Sequence, residues 1–305
     1  MTLLFTHEAA ADHLTPPGHG EQVARYAAVM DALADLDLDR REAPLARDAD
    51  LLRCHPQSYL DQLRAAVPVD GLRQMDEDTF LSPGSLTAAW RAAGGAVAAV
   101  DAVLDGQADT AFVAMRPPGH HALAGQTMGF CIFGNAAIAA KYALDARGLD
   151  RVAVLDFDVH HGNGTQALLW DEPRTLFASS QQYPHWPGTG AADERGAHDN
   201  VINAPLPADS DGAFGRAAWD DILARVAAFR PQLVIISAGF DAHADDPKGE
   251  LRWQDADYTL LTQAICDVAR ECDAKVVSCL EGGYNLAALG RSVRAHVDAL
   301  MRAAG

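Results

Sequence analysis

Short apolar segments rich in β-branched residues alternate along this chain with longer alanine-rich segments, and this alternation limits the possible folds more than any other feature. Five of the apolar segments are predicted strands: Thr110–Met115, Arg151–Leu155, Thr175–Ser179, Leu233–Ser237 and Lys275–Cys279. They are continuously apolar, as strands buried on both faces require. Five segments are predicted helices: Ser85–Leu104, Asn135–Ala146, Gly215–Phe229, Asp257–Glu271 and Leu286–Arg302. The pattern predicts an α/β fold with one central, mostly parallel sheet and helices on both faces.

No linker, repeat or low-complexity segment interrupts this alternation, so we predict a single domain over residues 1–305. The net charge of −18 argues against a nucleic-acid partner, because phosphate backbones would repel the chain. An acidic chain suits cationic small-molecule substrates without selecting among them.

The five cysteines form no C-x-x-C pair and are odd in number, which predicts reduced thiols rather than a disulfide framework or a thiolate zinc site. The N-terminal residues lack the basic and long apolar regions of a signal peptide. No segment has 18 uninterrupted apolar residues, so we expect no membrane span. These features together predict a cytoplasmic protein.

Four polar, glycine-containing segments each follow directly after a predicted strand: Arg116–Ala122, Asp156–His161, Asp241–Asp246 and Glu281–Asn285. In open parallel sheets the carboxyl ends of the strands form the ligand crevice. The positions of these segments therefore predict a ligand site at one edge of the sheet.

A metal site is indicated by Asp158 and His160, whose side chains project to the same side of an extended segment. Asp241, after another core strand, could supply a third ligand and leave a position open for water or substrate, as in catalytic zinc sites. The alternative interpretation is that Asp158 and His160 only cap the following turn.

Adjacent histidines, His120 and His121, follow a rigid Pro-Pro-Gly turn. Two imidazoles beside a metal could have different roles: one would position the water and stabilise the transition state, and the other would transfer protons. Asp156 and Asn163 are the natural partners for the second nitrogen of each ring.

A ligand pocket is indicated by residues on glycine- and proline-flanked loops. The turn that contains Gly283 allows a close backbone approach, and the phenol of Tyr284 can donate to a developing oxyanion. Phe130, next to Gly129, and Trp186 are predicted pocket walls. For each aromatic residue, simple packing is the alternative.

Six segments occur in this order along the chain: RPPGHHA, GFCIFGN, LDFDVHHGNGTQ, PGTG, SAGFDAH and LEGGYNL, within a family-like pattern that runs from about Thr15 to the C-terminus. Together they resemble the histone deacetylase and acetylpolyamine amidohydrolase superfamily, most closely its class II-like bacterial members. The resemblance implies an arginase-like α/β fold. It also implies a zinc-dependent deacetylase with a small N-acyl amine or an acyl-lysine as substrate, and homo-oligomers are common in the family.

Matching residues take the family's roles by resemblance. The implied zinc ligands are Asp158, His160 and Asp241, with zinc or iron left open as the native metal. The implied catalytic residues are His120, His121 and Tyr284, partnered by Asp156 and Asn163. Phe130 and Trp186 would line the acyl tunnel. A structural potassium ion is implied near Asp156 and Ser179.

This chain departs from the family pattern at two of these positions. Trp186 replaces the usual phenylalanine, and Asn163 stands where many members have aspartate, while class II-like members often have asparagine there. A neutral Asn163 leaves His121 without a carboxylate partner, so we expect His121 to be the general base and then the acid. His120, facing Asp156, should stay charged and stabilise the transition state.

Three alternatives accompany this prediction. An arginase-like dimanganese ureohydrolase would need aspartate at position 162, which is Gly162 here. A non-catalytic acyl-binding module is disfavoured because both histidines and Tyr284 are present. An acetylpolyamine amidohydrolase is disfavoured by Lys248, since the polyamine-selective branch carries glutamate there and a lysine would repel the substrate. Asp78 could still bind a cation from another side.

Overall fold

Parallel strands form the core of this protein in a computed structural model that describes residues 1–304. Within these residues the strands are β1 (Thr2–Thr6), β2 (Asp39–Glu42), β3 (Arg73–Gln74), β4 (Phe80–Leu81), β5 (Thr110–Val113), β6 (Val152–Asp156), β7 (Thr175–Gln182), β8 (Val201–Leu206), β9 (Leu233–Ala238) and β10 (Lys275–Leu280). The main sheet has the order β2-β1-β5-β10-β9-β6-β7-β8, and every neighbouring pair in it is parallel. Strands β3 and β4 form a separate antiparallel hairpin.

The helices are α1 (Ala24–Ala32), α2 (Asp48–Leu51), α3 (Gln57–Ala66), α4 (Ser85–Leu104), α5 (Asn135–Asp145), α6 (Asn163–Leu169), α7 (Gly212–Phe229), α8 (Asp255–Glu271) and α9 (Leu286–Ala303), with a short 3-10 helix at Glu8–Ala11. Helices α3, α4 and α5 pack on one face of the sheet, and α1, α7, α8 and α9 pack on the other. The predicted α/β fold with helices on both faces is confirmed.

All five predicted strands and all five predicted helices are present, with ends that differ by at most three residues. Three further strands of the main sheet were not predicted from the sequence. Strand β1 lies at the chain start, β2 is the polar edge strand DRRE, and β8 is the opposite edge strand and contains Pro205. Edge strands need not be apolar on both faces and tolerate proline, so they lack the signal that revealed the central strands.

Within residues 1–304 all five cysteines are unpaired, and four of them are buried. The prediction of reduced thiols is therefore confirmed. None of the helices in this part of the chain combines the length and apolar character that a membrane crossing requires.

Candidate active site

Strands β5, β10, β9 and β6 are consecutive neighbours in the sheet, and the four polar segments follow them directly. The segments beginning at Arg116, Asp156, Asp241 and Glu281 therefore meet at the carboxyl edge of the sheet. A cavity lined by His121, His160 and Tyr284 of these segments lies at this edge.

Asp158, His160 and Asp241 are the one group of three His, Cys, Asp or Glu residues within residues 1–304 whose ligand atoms could share a metal ion. These atoms lie within 4.8 Å of one another, and all three residues are buried. His160 Nδ1 is 3.1 Å from Asp158 Oδ1 and 3.1 Å from Asp241 Oδ2. Imidazole nitrogen and carboxylate oxygen are zinc ligands, so the donor set fits a catalytic site with three protein ligands.

Backbone amides and glycines hold the two carboxylates in place. The Gly282 N–H donates to Asp158 Oδ2 at 2.9 Å, and the Val159 N–H donates to Asp241 Oδ1 at 2.9 Å. A Cβ atom on Gly282 or on Gly239 would overlap the Asp158 carboxylate. Glycine at both positions allows the backbone to lie against the charged groups.

Burial and the charges of the three neighbouring side chains together set the pKa values of the triad. Burial lowers the pKa of His160, but hydrogen bonds to Asp158 and Asp241 outweigh burial and raise it to about 9. Burial raises the pKa of Asp158, but the nearby histidines hold that pKa well below its usual range. The pKa of Asp241 is raised, because burial and the Asp158 charge both disfavour its ionisation. A cation between the two carboxylates would relieve their repulsion.

The adjacent histidines contact two different partners. His120 Nδ1 lies 2.9 Å from Asp156 Oδ2, and His121 Nδ1 lies 2.8 Å from Asn163 Oδ1. The two rings are buried, with centroids 3.9 Å apart. Each ring is therefore held through its Nδ1 atom, His120 by a carboxylate and His121 by a neutral amide.

These partners shift the pKa values of the two histidines in opposite directions. Burial lowers the pKa of His120, but the Asp156 and Asp158 charges outweigh burial and raise it well above its usual value. Burial, followed by the His120 charge, lowers the pKa of His121 well below its usual value. The site therefore holds an imidazolium beside a neutral imidazole.

Glu281, which the sequence analysis assigned no role, is buried beneath the histidine turn. Its carboxylate accepts the Gly119 N–H at 2.6 Å and the His120 N–H at 3.1 Å, and Ser237 Oγ donates to it at 3.1 Å. Burial raises the pKa of Glu281 to about 7. The signal in the sequence was a carboxylate placed directly after a core strand.

Tyr284 lies on the turn after β10, with its ring 5.1 Å from the Arg25 guanidinium. Its hydroxyl has no hydrogen-bond partner within residues 1–304, and burial raises its pKa well above 10, so the hydroxyl remains a proton donor. Gly283 does not line the cavity; its φ of +119° shapes the turn, and its carbonyl accepts from Arg25 Nε at 2.6 Å.

Asp246, also without an assigned role, joins two loops. It accepts the N–H groups of Tyr284 at 2.6 Å and Asn285 at 3.0 Å on one loop, and of Lys248 at 3.0 Å on the other. Burial, with the Asp241 charge, raises the pKa of Asp246 to about 6.

A cavity of about 430 Å³ opens onto these groups. Its lining residues are Glu77, Asp78, His121, Gly129, Phe130, His160, His185, Trp186, Lys248 and Tyr284. Gly129 has a φ of +55°, and a Cβ there would come within 2.6 Å of both the His121 and the Trp186 rings. The His185 ring, which the sequence analysis did not single out, stacks on His160 with a centroid distance of 5.2 Å.

A buried group of charged residues was not predicted from the sequence. We call it the Glu21 cluster; it consists of Glu21, Arg25, Arg116 and His13. Arg116 Nε and Nη2 each donate to the Glu21 carboxylate at 2.5 Å, and Arg25 Nη1 donates at 3.0 Å. His13 Nε2 lies 3.4 Å from Glu21 Oε2. Arg116 begins the histidine segment, and Arg25 supports the Tyr284 turn, so the cluster joins two parts of the site.

Ser179 is fully buried, and its Oγ has no hydrogen-bond partner within residues 1–304. It pairs in register with Asp156 on the neighbouring strand. A buried polar atom without a partner is a sign of a missing ion or water. The surroundings of Ser179 therefore fit the potassium site that the resemblance implies.

Comparisons with known proteins agree on one family. Residues 19–300 match the family model described as "Histone deacetylase domain". The histone deacetylase-like amidohydrolase of Pseudomonas aeruginosa is 40% identical over 283 residues, covering 91% of this chain and 74% of that protein.

Two solved structures share the fold closely. The HDA15 HD domain superposes with a TM-score of 0.92 and 31% identity, covering 98% of this chain and 90% of that one. An acetylpolyamine aminohydrolase from Burkholderia pseudomallei superposes with a TM-score of 0.88 and 28% identity, covering 100% of both chains.

Proposed function

The chain belongs to the histone deacetylase family of amidohydrolases, and we propose that it is a zinc-dependent deacylase of acyl-lysine or of small N-acyl amines. We assign one zinc ion to Asp158, His160 and Asp241. The observation that carries the proposal is that His160 of this triad lines one cavity together with His121 and Tyr284.

Bound zinc would supply a Lewis acid that polarises the amide carbonyl and lowers the pKa of water. The Tyr284 hydroxyl, free of other partners, donates to the carbonyl oxygen as negative charge develops there. Neutral His121 takes the proton from the attacking water and returns it to the leaving amine. His120, held as an imidazolium by Asp156, stabilises the negative charge through space.

The aromatic walls favour an extended acyl-amine chain as the substrate. Phe130 and Trp186 line the cavity, which also opens at the Lys248 loop. A lysine at this rim opposes a polyamine tail, so we favour acyl-lysine or another small N-acyl amine. Acetylpolyamine hydrolysis remains the second candidate, because a structural relative carries that name.

A two-metal ureohydrolase receives less support from the structure. A Cβ on Gly162 would overlap the Asp156 carboxylate, so an aspartate ligand could not be added there without rearrangement. Residues 1–304 also contain a single group suited to a metal. We further propose a potassium ion at Ser179 and, from the free thiols, a cytoplasmic location.

The decisive experiment measures hydrolysis of N-acetylated polyamines and acyl-lysine peptides together with metal content by elemental analysis. We expect one equivalent of metal, and reconstitution with zinc or iron would identify the more active form. Asp158→Ala should lose both metal and activity, whereas the exposed control Asp150→Ala should keep both. An Asp158→Ala protein with one zinc and normal turnover would contradict the proposal.

Lys248→Glu tests the preference against polyamines. It should shift the ratio of kcat/KM values for acetylspermidine and an acetyl-lysine peptide toward the polyamine. An unchanged ratio would show that Lys248 does not select the substrate.

A further inference from the structure

The cavity mouth carries a cationic side chain, Lys248, that has no acidic partner among residues 1–304. Lys248 is exposed, and its Nζ lies 5.8 Å from the centroid of the Phe130 ring. The end of its stem lies close to Gly20, where an added Cβ would come within 3.1 Å of Cε. Within residues 1–304 the ammonium forms no ion pair, so its charge is free to meet a ligand.

Two carboxylates line the same cavity from a different loop. Glu77 is exposed, and its side chain makes no ion pair within the described chain. Asp78 is half-buried and accepts one long hydrogen bond, from Thr79 Oγ1 at 3.4 Å.

Neighbouring Asp76 has a different role, because its carboxylate is already used by the protein. It accepts the N–H groups of Asp78 and Thr79 and the hydroxyl of Thr127. Asp76 therefore holds the loop, while the carboxylates of Glu77 and Asp78 line the cavity and form no ion pair within residues 1–304. Burial and the neighbouring Asp76 carboxylate raise the pKa of Asp78, so a cationic group of a ligand would relieve the repulsion between the two carboxylates.

The positive charge of Lys248 and the negative charges of Glu77 and Asp78 are not paired with each other. Lys248 forms no ion pair with Glu77 or Asp78, although all three residues line one cavity. Phe130 connects the two loops, because its ring faces Lys248 and its N–H donates to Thr79 Oγ1 at 3.0 Å. When the scissile amide of a ligand reaches the catalytic groups, the other end of the ligand would therefore lie near both the Lys248 ammonium and the carboxylates of Glu77 and Asp78.

We infer that the preferred substrate is a free α-amino acid acylated on its side-chain amine, such as Nε-acetyl-lysine. Its α-carboxylate would pair with Lys248, and its α-ammonium would pair with Asp78 and Glu77. A peptide-bound acyl-lysine lacks both charges, and a polyamine lacks the carboxylate, so complementarity disfavours each of them. This inference rests on the proposed deacylase function.

Four substrates test the α-carboxylate and the α-ammonium one at a time and together: Nε-acetyl-lysine, its α-amide, its Nα-acetyl derivative, and the form with both groups capped. Capping either charge should lower kcat/KM about 1.4- to five-fold, which corresponds to about 0.2–1 kcal/mol for an exposed ion pair. Capping both should give the largest loss. Equal kcat/KM for all four substrates would overturn the inference and leave the proposed function intact, whereas no hydrolysis of any N-acyl amine would overturn both.

Variants assign each preference to its residue. Lys248→Met should remove the preference for the free carboxylate and keep the preference for the free ammonium. Asp78→Asn should weaken the ammonium preference and keep the carboxylate preference. Lys141→Met on α5 and Asp220→Asn on α7 are matched controls and should keep both ratios. Retention of both ratios in Lys248→Met would refute its assigned role.

Product inhibition of the unmodified protein provides a test that needs no variant. L-lysine should inhibit more strongly than cadaverine, which lacks the carboxylate, and more strongly than 6-aminohexanoate, which lacks the α-ammonium. Equal inhibition by all three compounds would contradict the inference.

Discussion

Replacing Glu21 by glutamine should destabilise the folded protein strongly, because the carboxylate is fully buried between two guanidinium groups. Glutamine keeps the shape of the side chain but removes its charge, which leaves Arg116 and Arg25 buried without compensation. Removing one partner of a buried ion pair costs about 3–5 kcal/mol. An unfolding entropy of about 2.1 cal/mol/K per residue gives about 0.64 kcal/mol/K for this chain, so Tm should fall by roughly 5–8 °C.

The pH dependence of this loss provides a second, independent check. Burial raises the pKa of Glu21, but the Arg116 charge and the hydrogen bond to His13 outweigh burial and hold that pKa well below its usual range. Because the pKa is lower in the folded state, the stabilisation is complete above the unfolded value of about 4.3 and is lost as the pH falls below it. The difference in unfolding free energy between the two proteins should therefore be constant from pH 7 to 5 and shrink below pH 4.3.

Urea unfolding at several pH values, with Tm from thermal denaturation, measures both effects. Glu271→Gln at the exposed end of α8 is the matched control and should change the unfolding free energy by less than about 0.5 kcal/mol. A loss below about 1 kcal/mol for Glu21→Gln, or a loss that is the same at pH 7 and at about pH 3, would refute the reasoning.

Further predictions concern the catalytic groups. Tyr284→Phe should lower kcat by about 10²–10³-fold with little change in Tm, because the hydroxyl has no hydrogen-bond partner within residues 1–304; a modest kinetic effect with a large Tm loss would contradict this. His121→Ala should cost more kcat than His120→Ala, and equal losses would refute the division of roles. Asn163→Asp should move the acidic limb of the pH–rate profile upward, because a carboxylate favours imidazolium; an unmoved profile would contradict this. Gly239→Ala should weaken metal binding, measured by chelator competition, because its Cβ would displace a ligand carboxylate.

The central part of the fold could be predicted because buried parallel strands leave a continuous apolar signature. Strands β6 and β9 show it clearly, since all of their residues are buried. The edge strand β2 has a polar sequence that alternates between half-buried and exposed residues, so no local pattern distinguishes it from a loop.

The candidate site was predictable where its residues lie in short segments after strands. Asp158 and His160, two residues apart, illustrate this local signal. The Glu21 cluster was not predictable, because Glu21 and Arg116 are 95 residues apart and Arg25 reaches Gly283 across 258 residues. Contacts of this kind depend on the order of strands in the sheet, which composition and periodicity do not reveal.

Asp246 accepts backbone hydrogen bonds from both the Lys248 loop and the Tyr284 turn. The loop that we propose to recognise the substrate tail and the turn that we propose to polarise the amide therefore share one anchoring carboxylate. A substitution that alters the loop backbone would therefore move the phenol as well. Exchange of this loop with a relative's should change turnover together with substrate preference, whereas a side-chain substitution that preserves the Asp246 contacts should change preference alone. In an evolving lineage, this coupling would favour new specificities that arise by single side-chain replacements at the mouth over those that arise by insertion or deletion in the loop.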